Sequence, residues 1–252
     1  MSAVLEKMNG TGPEIYLAPV LEKLGFSAFF TGRGGGVSPA PFDSLNVSQG
    51  VGDSEKNVAE NLERIRKAMR VRELWRARQV HGDHVMGIAQ WPPARQEDAD
   101  ALVVAIPGVT ASVSVADCLP AILACPERKV AAAVHAGRKS TELQIIRKTV
   151  QRMAAWFDCA PDRIVAVFGP CIRSCCYQVD EASAARFAAC CGGSGRMLDI
   201  ARANREQLVS AGVRPENIHD SGLCTSCGKD KFFSHRAHKG TTGRFLGGVT
   251  IL

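Results

Sequence analysis

The stretch from Thr110 to Gly137, TASVSVADCLPAILACPERKVAAAVHAG, holds two apolar runs that each close on a reactive side chain. Cys118 follows Asp117 on the first, and His135 precedes Ala136-Gly137 on the second. A thiol and an imidazole at strand ends suit either nucleophilic catalysis, with the imidazole as base, or a soft-metal site. His81, in Gln79-Val80-His81-Gly82, is the candidate third member. Two histidines and a cysteine suit zinc with an open fourth position. The separations along the chain are long, so spacing leaves open whether the three converge. His81 also reads as a hydrogen-bonded turn residue. Asp117 has two readings, a turn cap or an acid/base group that orients a ligand or holds a substrate proton.

The loop Thr31-Gly32-Arg33-Gly34-Gly35-Gly36-Val37-Ser38 can cradle an anion with backbone N–H groups, Arg33 adding charge. It matches neither a Walker A pattern nor a dinucleotide fingerprint, and a flexible loop is the plainer reading. Arg138-Lys139, directly after the His135 turn and before a helix, is a second candidate anion site, or a solvated turn. Cys224 and Cys227 form a C-x-x-C, while Cys175-Cys176 and Cys190-Cys191 are vicinal pairs. A structural zinc takes four ligands, and no second C-x-x-C stands at zinc-ribbon spacing. Most of these cysteines therefore read as small buried hydrophobes.

Positioning these groups falls to a set of strands and a few helices. Residues 26–30 read as a strand entering the Gly-rich loop. A helix follows Asp53, whose side chain can cap it, with Val58, Leu62, Ile65 and Met69 on one stripe. Segments 74–81 and 84–89 read as strands joined at Gly82-Asp83. Further strands are expected at 100–106, 111–116, 120–124, 129–135 and 163–168, with a last one in the tail GRFLGGVTIL. An amphipathic helix is expected over about 140–157, capped by Ser140 and burying Leu143, Ile146, Val150, Met153 and Phe157. Two more should follow Asp180 and Asp199. Strands come in runs rather than in strict alternation with helices, which favours an α+β chain of one domain, 1–252.

A chain of 252 residues, 46% hydrophobic and 22% charged, can bury a sizeable core. The net charge of +6 suits a small anionic substrate, and no Lys/Arg run long enough to track a nucleic-acid backbone is present. The basic stretch from Arg64 to Arg72 falls on a helix and reads as its solvated face. The first residues lack a basic start and a long apolar core, and no uncharged segment reaches membrane-spanning length. With ten cysteines in a chain of this size, the expectation is a cytoplasmic protein with reduced thiols, monomer or homodimer being left open.

Ordered along nearly the whole chain are TGRGGGVSPAPFDSLNVSQGVGD (31–53), QVHG (79–82), DALV (100–103), VADCLP (115–120), VHAG (134–137), GPCIRSCCYQV (169–179), and the CT.C, FFSHR and TGR segments of 224–244. On these the chain resembles the bacterial laccase-domain proteins, long called multicopper polyphenol oxidases and since described as purine nucleoside phosphorylases with adenosine deaminase activity. The resemblance implies a single-domain α+β fold, layered α/β/β/α with mixed sheets. It also implies a zinc held by His81, Cys118 and His135, with Asp117, Ser38 and Asn46 lining the nucleoside pocket and Arg33 and Arg138 as substrate-binding candidates. Phosphate and a nucleoside are then the expected partners, without nucleic acid or membrane. The family usually reads His-Ala-Gly-Trp-Arg-Gly where this chain has His135-Ala136-Gly137-Arg138-Lys139-Ser140, and often has Arg where Leu62 follows Asn61. The changes remove a stacking surface and a fixed phosphate fork. They motivate one alternative, a zinc-bound nucleoside-binding protein with weakened catalysis. A second alternative is a Cys118–His135 hydrolase or amidase acting on a peptidoglycan precursor. Copper is disfavoured by counting: a laccase-type trinuclear cluster needs several histidines in H-x-H pairs beyond a blue-copper set, and six histidines with no such pair do not supply them.

Overall fold

The computed structural model describes residues 3–88 and 97–252. In chain order its elements are β1 (Glu6–Lys7), β2 (Ile15–Leu17), α1 (Pro19–Glu22), β3 (Phe26–Thr31), α2 (Glu55–Met69), β4 (Glu73–Trp75), β5 (Val85–Ile88) and β6 (Ala101–Val104). There follow β7 (Val109–Val115), β8 (Leu119–Cys125), β9 (Val130–Ala136), α3 (Arg138–Glu142), α4 (Ile145–Phe157) and β10 (Val165–Phe168). The last are α5 (Glu181–Cys191), α6 (Ile200–Ser210), β11 (Ile218–Asp220) and β12 (Phe245–Ile251).

Two mixed six-stranded sheets face each other, ordered β1-β2-β3-β12-β7-β4 and β11-β10-β8-β9-β6-β5. Strand alternation sorts the side chains into layers. Phe26, Ala28 and Phe30 of β3 meet Ile122 and Ala124 of β8 and Ala131 and Ala133 of β9 between the sheets. The opposite parity of β8 and β9, Leu123, Cys125, Ala132 and Val134, packs under Ile146, Val150 and Met153 of α4 and under α6. On the outer side of the first sheet, Phe29 and Leu246 lie under Ile65 of α2. The layering is α/β/β/α, and small alanines on β9 let the layers approach closely. No helix among the described residues is long and apolar enough to cross a membrane.

Several boundaries differ from the periodicity reading. The expected helix over 140–157 is two helices, because Gln144 adopts φ +64 between α3 and α4. Ser140 therefore lies inside α3, with its hydroxyl buried and unpartnered, rather than capping a helix. Leu143 is exposed at the break. Helix α2 is capped by Ser54, whose hydroxyl accepts from Asn57 N, one residue after Asp53. Asp180 and Asp199 do cap α5 and α6 through Ser183 N and Arg202 N. The segments 74–81 and 84–89 are not a hairpin. β4 pairs in parallel with β7 in the first sheet, and β5 in parallel with β6 in the second. The chain between them crosses from sheet to sheet, and residue 89 lies outside the described residues.

Candidate metal centre

Two of the four connections that cross between the sheets carry two of the three candidate ligands. His81 sits on the β4–β5 crossing, at φ +58, and Cys118 on the short β7–β8 crossing. His135 is the penultimate residue of β9, paired opposite Pro120, so the antiparallel β8–β9 ladder brings it beside the start of β8. The donor atoms of His81, Cys118 and His135 all lie within 4.8 Å of one another. Cys118 Sγ stands 4.0 Å from His81 Nε2, and the two imidazoles meet edge to face with centroids 4.8 Å apart. Around a tetrahedral ion, one sulfur and one nitrogen ligand are about 3.6 Å apart. The set therefore needs only a small contraction to close on a metal. Gly137 makes room for it: a Cβ there would stand 2.8 Å from Cys118 Sγ and 3.3 Å from His81 Cδ2.

Asp100 organises the centre. Fully buried just before β6, it accepts from His135 Nδ1 (2.7 Å) and His81 N (3.0 Å) on one oxygen. Its other oxygen accepts from Val80 N (3.2 Å) and Gly82 N (2.7 Å). The same carboxylate folds the His81 loop and fixes the His135 tautomer, leaving Nε2 as that ring's free donor for a metal. Burial opposes its charge, but the His135 hydrogen bond and charge, with the Gly82 and Val80 amides, hold the carboxyl below its ordinary range. Burial likewise resists a thiolate at Cys118, yet the charge and hydrogen bond of His135, seconded by His81, bring the thiol down to about 6. Burial works against a charged His135 as well; the Cys118 charge and the Asp100 hydrogen bond push it up to about 9. Without metal, the pair is a thiolate–imidazolium pair near neutrality.

Asp117, beside Cys118, has φ +89, a left-handed conformation unusual for a side chain other than glycine. Its carboxylate accepts from Thr225 Oγ1 (2.6 Å), Ser234 Oγ (2.7 Å) and Arg236 N (2.7 Å). Three donors from the β11–β12 connection are thus gathered at the residue next to the thiol. The centre opens into a cavity of about 1100 Å³, which Arg76, Arg78, Arg138, Arg236 and Arg244 also line. Arg78 pairs with Asp98, and Arg138 with Glu142 at 2.7 Å. Arg236 lies over the Tyr177 ring at 5.4 Å. Arg244 stands directly before β12, whose Phe245 pairs with Val115 at the end of β7, so it faces the Asp117–Cys118 turn. Its guanidinium donates to the carbonyls of Thr242 and Gly243 and makes no ion pair among the described residues. Burial lowers its pKa, and the charges of Cys118 and Asp117 oppose that shift.

Of the expected site residues, the structure gathers His81, Cys118, His135, Asp117 and Arg138 at one cavity. It does not bring Ser38, Asn46 or Arg33 there. Ser38 donates to Asp53 (2.6 Å), and Asn46 bridges Ser48, Asp53 and Arg244 N. Asn61, wholly buried, donates to Ser38 Oγ and to the Ser44 and Asn46 carbonyls, so these polar groups shape the Gly-rich loop from within. Arg33 bonds Asp43 and the Lys229 carbonyl and stacks on Phe233, locking the loop to the C-terminal segment rather than offering a charge. Sequence reasoning gave no role to Asp100, whose signal was its place directly before the apolar run 101–104, in the DALV segment. It also gave no role to Arg76, which carries no local motif, or to Arg236 and Arg244, although these close the FFSHR and TGR segments. The cysteine reading holds for Cys125, Cys159, Cys171 and Cys191, which are buried. It fails for Cys175, Cys176, Cys224 and Cys227, whose sulfurs form a second cluster at the surface.

Residues 27–252 match the family described as multi-copper polyphenol oxidoreductase laccase. A Deinococcus radiodurans protein named purine nucleoside phosphorylase is 40% identical over 224 residues, covering 85% of each chain. The human purine nucleoside phosphorylase LACC1 is 34% identical over 240 residues, 88% of this chain, which spans 55% of the human protein's length. The crystal structure of YlmD from Geobacillus stearothermophilus superposes with a TM-score of 0.89 at 29% identity, over 99% of both chains.

Proposed function

The chain belongs to the multi-copper polyphenol oxidoreductase laccase family, and from that premise we propose that it is a zinc-dependent enzyme that phosphorolyses purine nucleosides. The observation that carries this reading is one cavity that joins a two-histidine, one-cysteine donor set to five guanidinium groups. Relatives named purine nucleoside phosphorylase supply the substrate class.

The donor set fits zinc: two imidazoles and a thiolate leave a fourth position open, and Asp100 holds His135 in the tautomer that such a site uses. It does not fit the copper of the family's descriptive name, since six histidines cannot build a trinuclear cluster. Zinc, when bound, supplies Lewis acidity at that open position.

The arginines do the anion's positioning. Arg244, free of a carboxylate partner, and Arg236 and Arg138 at the rim would hold phosphate against the ribose anomeric carbon. As the bond from that carbon to the purine nitrogen breaks, its electron pair leaves with the base, which takes up a proton. A phosphate oxygen forms the new bond, and the guanidinium groups stabilise the charge redistribution. The products are free base and ribose 1-phosphate. Tyr177, backed by Arg236, offers an aromatic face for base or sugar. Asp117, engaged with three donors, takes a positioning part, keeping the Arg236 segment and Cys118 in register. Adenosine deamination, exchange of the amino group for oxygen with release of ammonia, is a second activity the same site would support. One observation favours a different reading: the thiolate–imidazolium pair suits a cysteine hydrolase when no metal is bound.

The test is incubation of metal-loaded protein with adenosine, inosine or guanosine, with and without phosphate, followed by chromatography. Phosphate-dependent release of base and ribose 1-phosphate is expected, and inosine from adenosine would report deamination. Folded, metal-loaded protein that binds nucleosides without turning them over would refute the enzyme reading. Rapid covalent labelling of Cys118 that stoichiometric zinc does not block would favour the hydrolase.

A further inference from the structure

Cys175 and Cys176 lie on the loop after β10, and Cys224 and Cys227 on the turn after β11. The two segments run side by side. Cys171 N donates to the Leu223 carbonyl, Thr225 N to the Cys171 carbonyl, and Arg173 pairs with Asp220 at 2.5 Å. This frame aims four sulfurs at one point. Cys175 Sγ stands 3.7 Å from each of the sulfurs of Cys176, Cys224 and Cys227, and Cys176 Sγ is 3.4 Å from Cys227 Sγ. All four fall within 4.8 Å of one another.

Those separations match one occupant. Four sulfurs about 2.3 Å from a central tetrahedral zinc stand about 3.8 Å apart along every edge. A disulfide would need a pair at about 2.05 Å, and all four thiols are free. Sulfurs so close also leave no space for the several irons of an iron–sulfur cluster. We propose that Cys175, Cys176, Cys224 and Cys227 form a second metal site, a closed four-thiolate site for zinc that is structural rather than catalytic. Occupation displaces the four thiol protons to solvent, and the ion's two positive charges offset half of the thiolate charge.

The site would brace the cavity wall. Tyr177, next to Cys176, lines the cavity, and Thr225, next to Cys224, holds Asp117 at 2.6 Å. The inference does not depend on which reaction the cavity performs.

Elemental analysis of protein purified under reductant is expected to give two zinc ions per chain. Cys118→Ala should lower the count to one, the double change Cys224→Ser with Cys227→Ser should also give one, and the triple variant none. Substitution with cobalt separates the sites: the intense thiolate charge-transfer bands of a four-sulfur site should persist in Cys118→Ala and vanish in the serine variant. Should the serine variant fail to fold, the cobalt spectrum of Cys118→Ala alone decides. One zinc in the wild type, with these four thiols alkylated as fast as free cysteines or found as disulfides by mass spectrometry, overturns the proposal.

Discussion

Asp100→Asn isolates the carboxylate that organises the centre without removing any ligand. Asp100 is fully buried and accepts four hydrogen bonds, two on each oxygen. Asparagine keeps one acceptor oxygen and places an amide donor at the other position. If the donor faces His135 Nδ1, the ring must carry its proton on Nε2 and that nitrogen no longer binds metal. If it faces Val80 N and Gly82 N, two buried donors lose their partner, at about 1–3 kcal/mol each, and the His81 loop loosens. Loss of such an orienting partner lowers metal affinity by about 10–100-fold, which is about 1.4–2.8 kcal/mol at tenfold per 1.4 kcal/mol. The assay is competition for zinc against a chromophoric chelator, with the thermal midpoint of metal-free protein measured in parallel. A folded Asp100→Asn protein that binds zinc as tightly as the wild type would show that Asp100 does not orient His135.

Four further outcomes are expected. Gly137→Ala keeps every ligand but sets a methyl 2.8 Å from Cys118 Sγ, so metal content should drop while the circular dichroism spectrum is preserved; full metal loading would contradict the close fit. In chelator-treated protein, the rate of Cys118 alkylation should fall as pH drops through about 6 rather than through the ordinary 9.0, and zinc should suppress it at any pH in that range. The stability linked to the lowered Cys118 value is complete above 9.0 and lost as pH falls through about 6. The share linked to the raised His135 value is complete below 6.5 and lost as pH rises through about 9. Between 6.5 and about 9 the two shares trade off one for one, because the folded pair and the unfolded thiol and imidazole each hold one proton, so the stability of metal-free protein should be nearly flat there and a slope of a full proton would exclude the charged pair. Asn61→Ala removes a buried amide that serves the Gly-rich loop, and a stability loss of about 1–3 kcal/mol is expected in urea; no change in midpoint would mean that the loop holds itself.

Cys118 and His135 were legible because each closes an apolar run, whereas His81, after Arg78-Gln79-Val80, stands in no such run. Convergence was not legible from spacing, since it depends on two sheet-to-sheet crossings, and 74–81 with 84–89 read as one hairpin. Alternation of apolar residues is the same whether two strands share a sheet or face one another across a core. The break at Gln144 was hidden for a related reason: the apolar stripe resumes in phase on α4, and nothing in the residue type announces a left-handed conformation. That Arg33, Ser38 and Asn46 bond within the Gly-rich loop and do not line the cavity was not legible, because glycine, arginine and small polar residues in a loop look alike whether they meet a ligand or each other. The four-cysteine cluster escaped because one pair is vicinal and 48 residues of chain separate Cys176 from Cys224, with no shared motif between them.

His81 and Cys118, 37 residues apart, ride on two of the segments that pass from one sheet to the other, and His135 stands near the end of a strand of the second sheet. An ion held by all three is a reversible cross-link across the sandwich. Its binding energy enters the unfolding equilibrium by mass action, adding about 1.4 kcal/mol for each tenfold rise in free ion above the dissociation constant. The durability of the whole fold would then track the free-ion level of its surroundings, and a chain starved of metal would be the more readily unfolded and degraded.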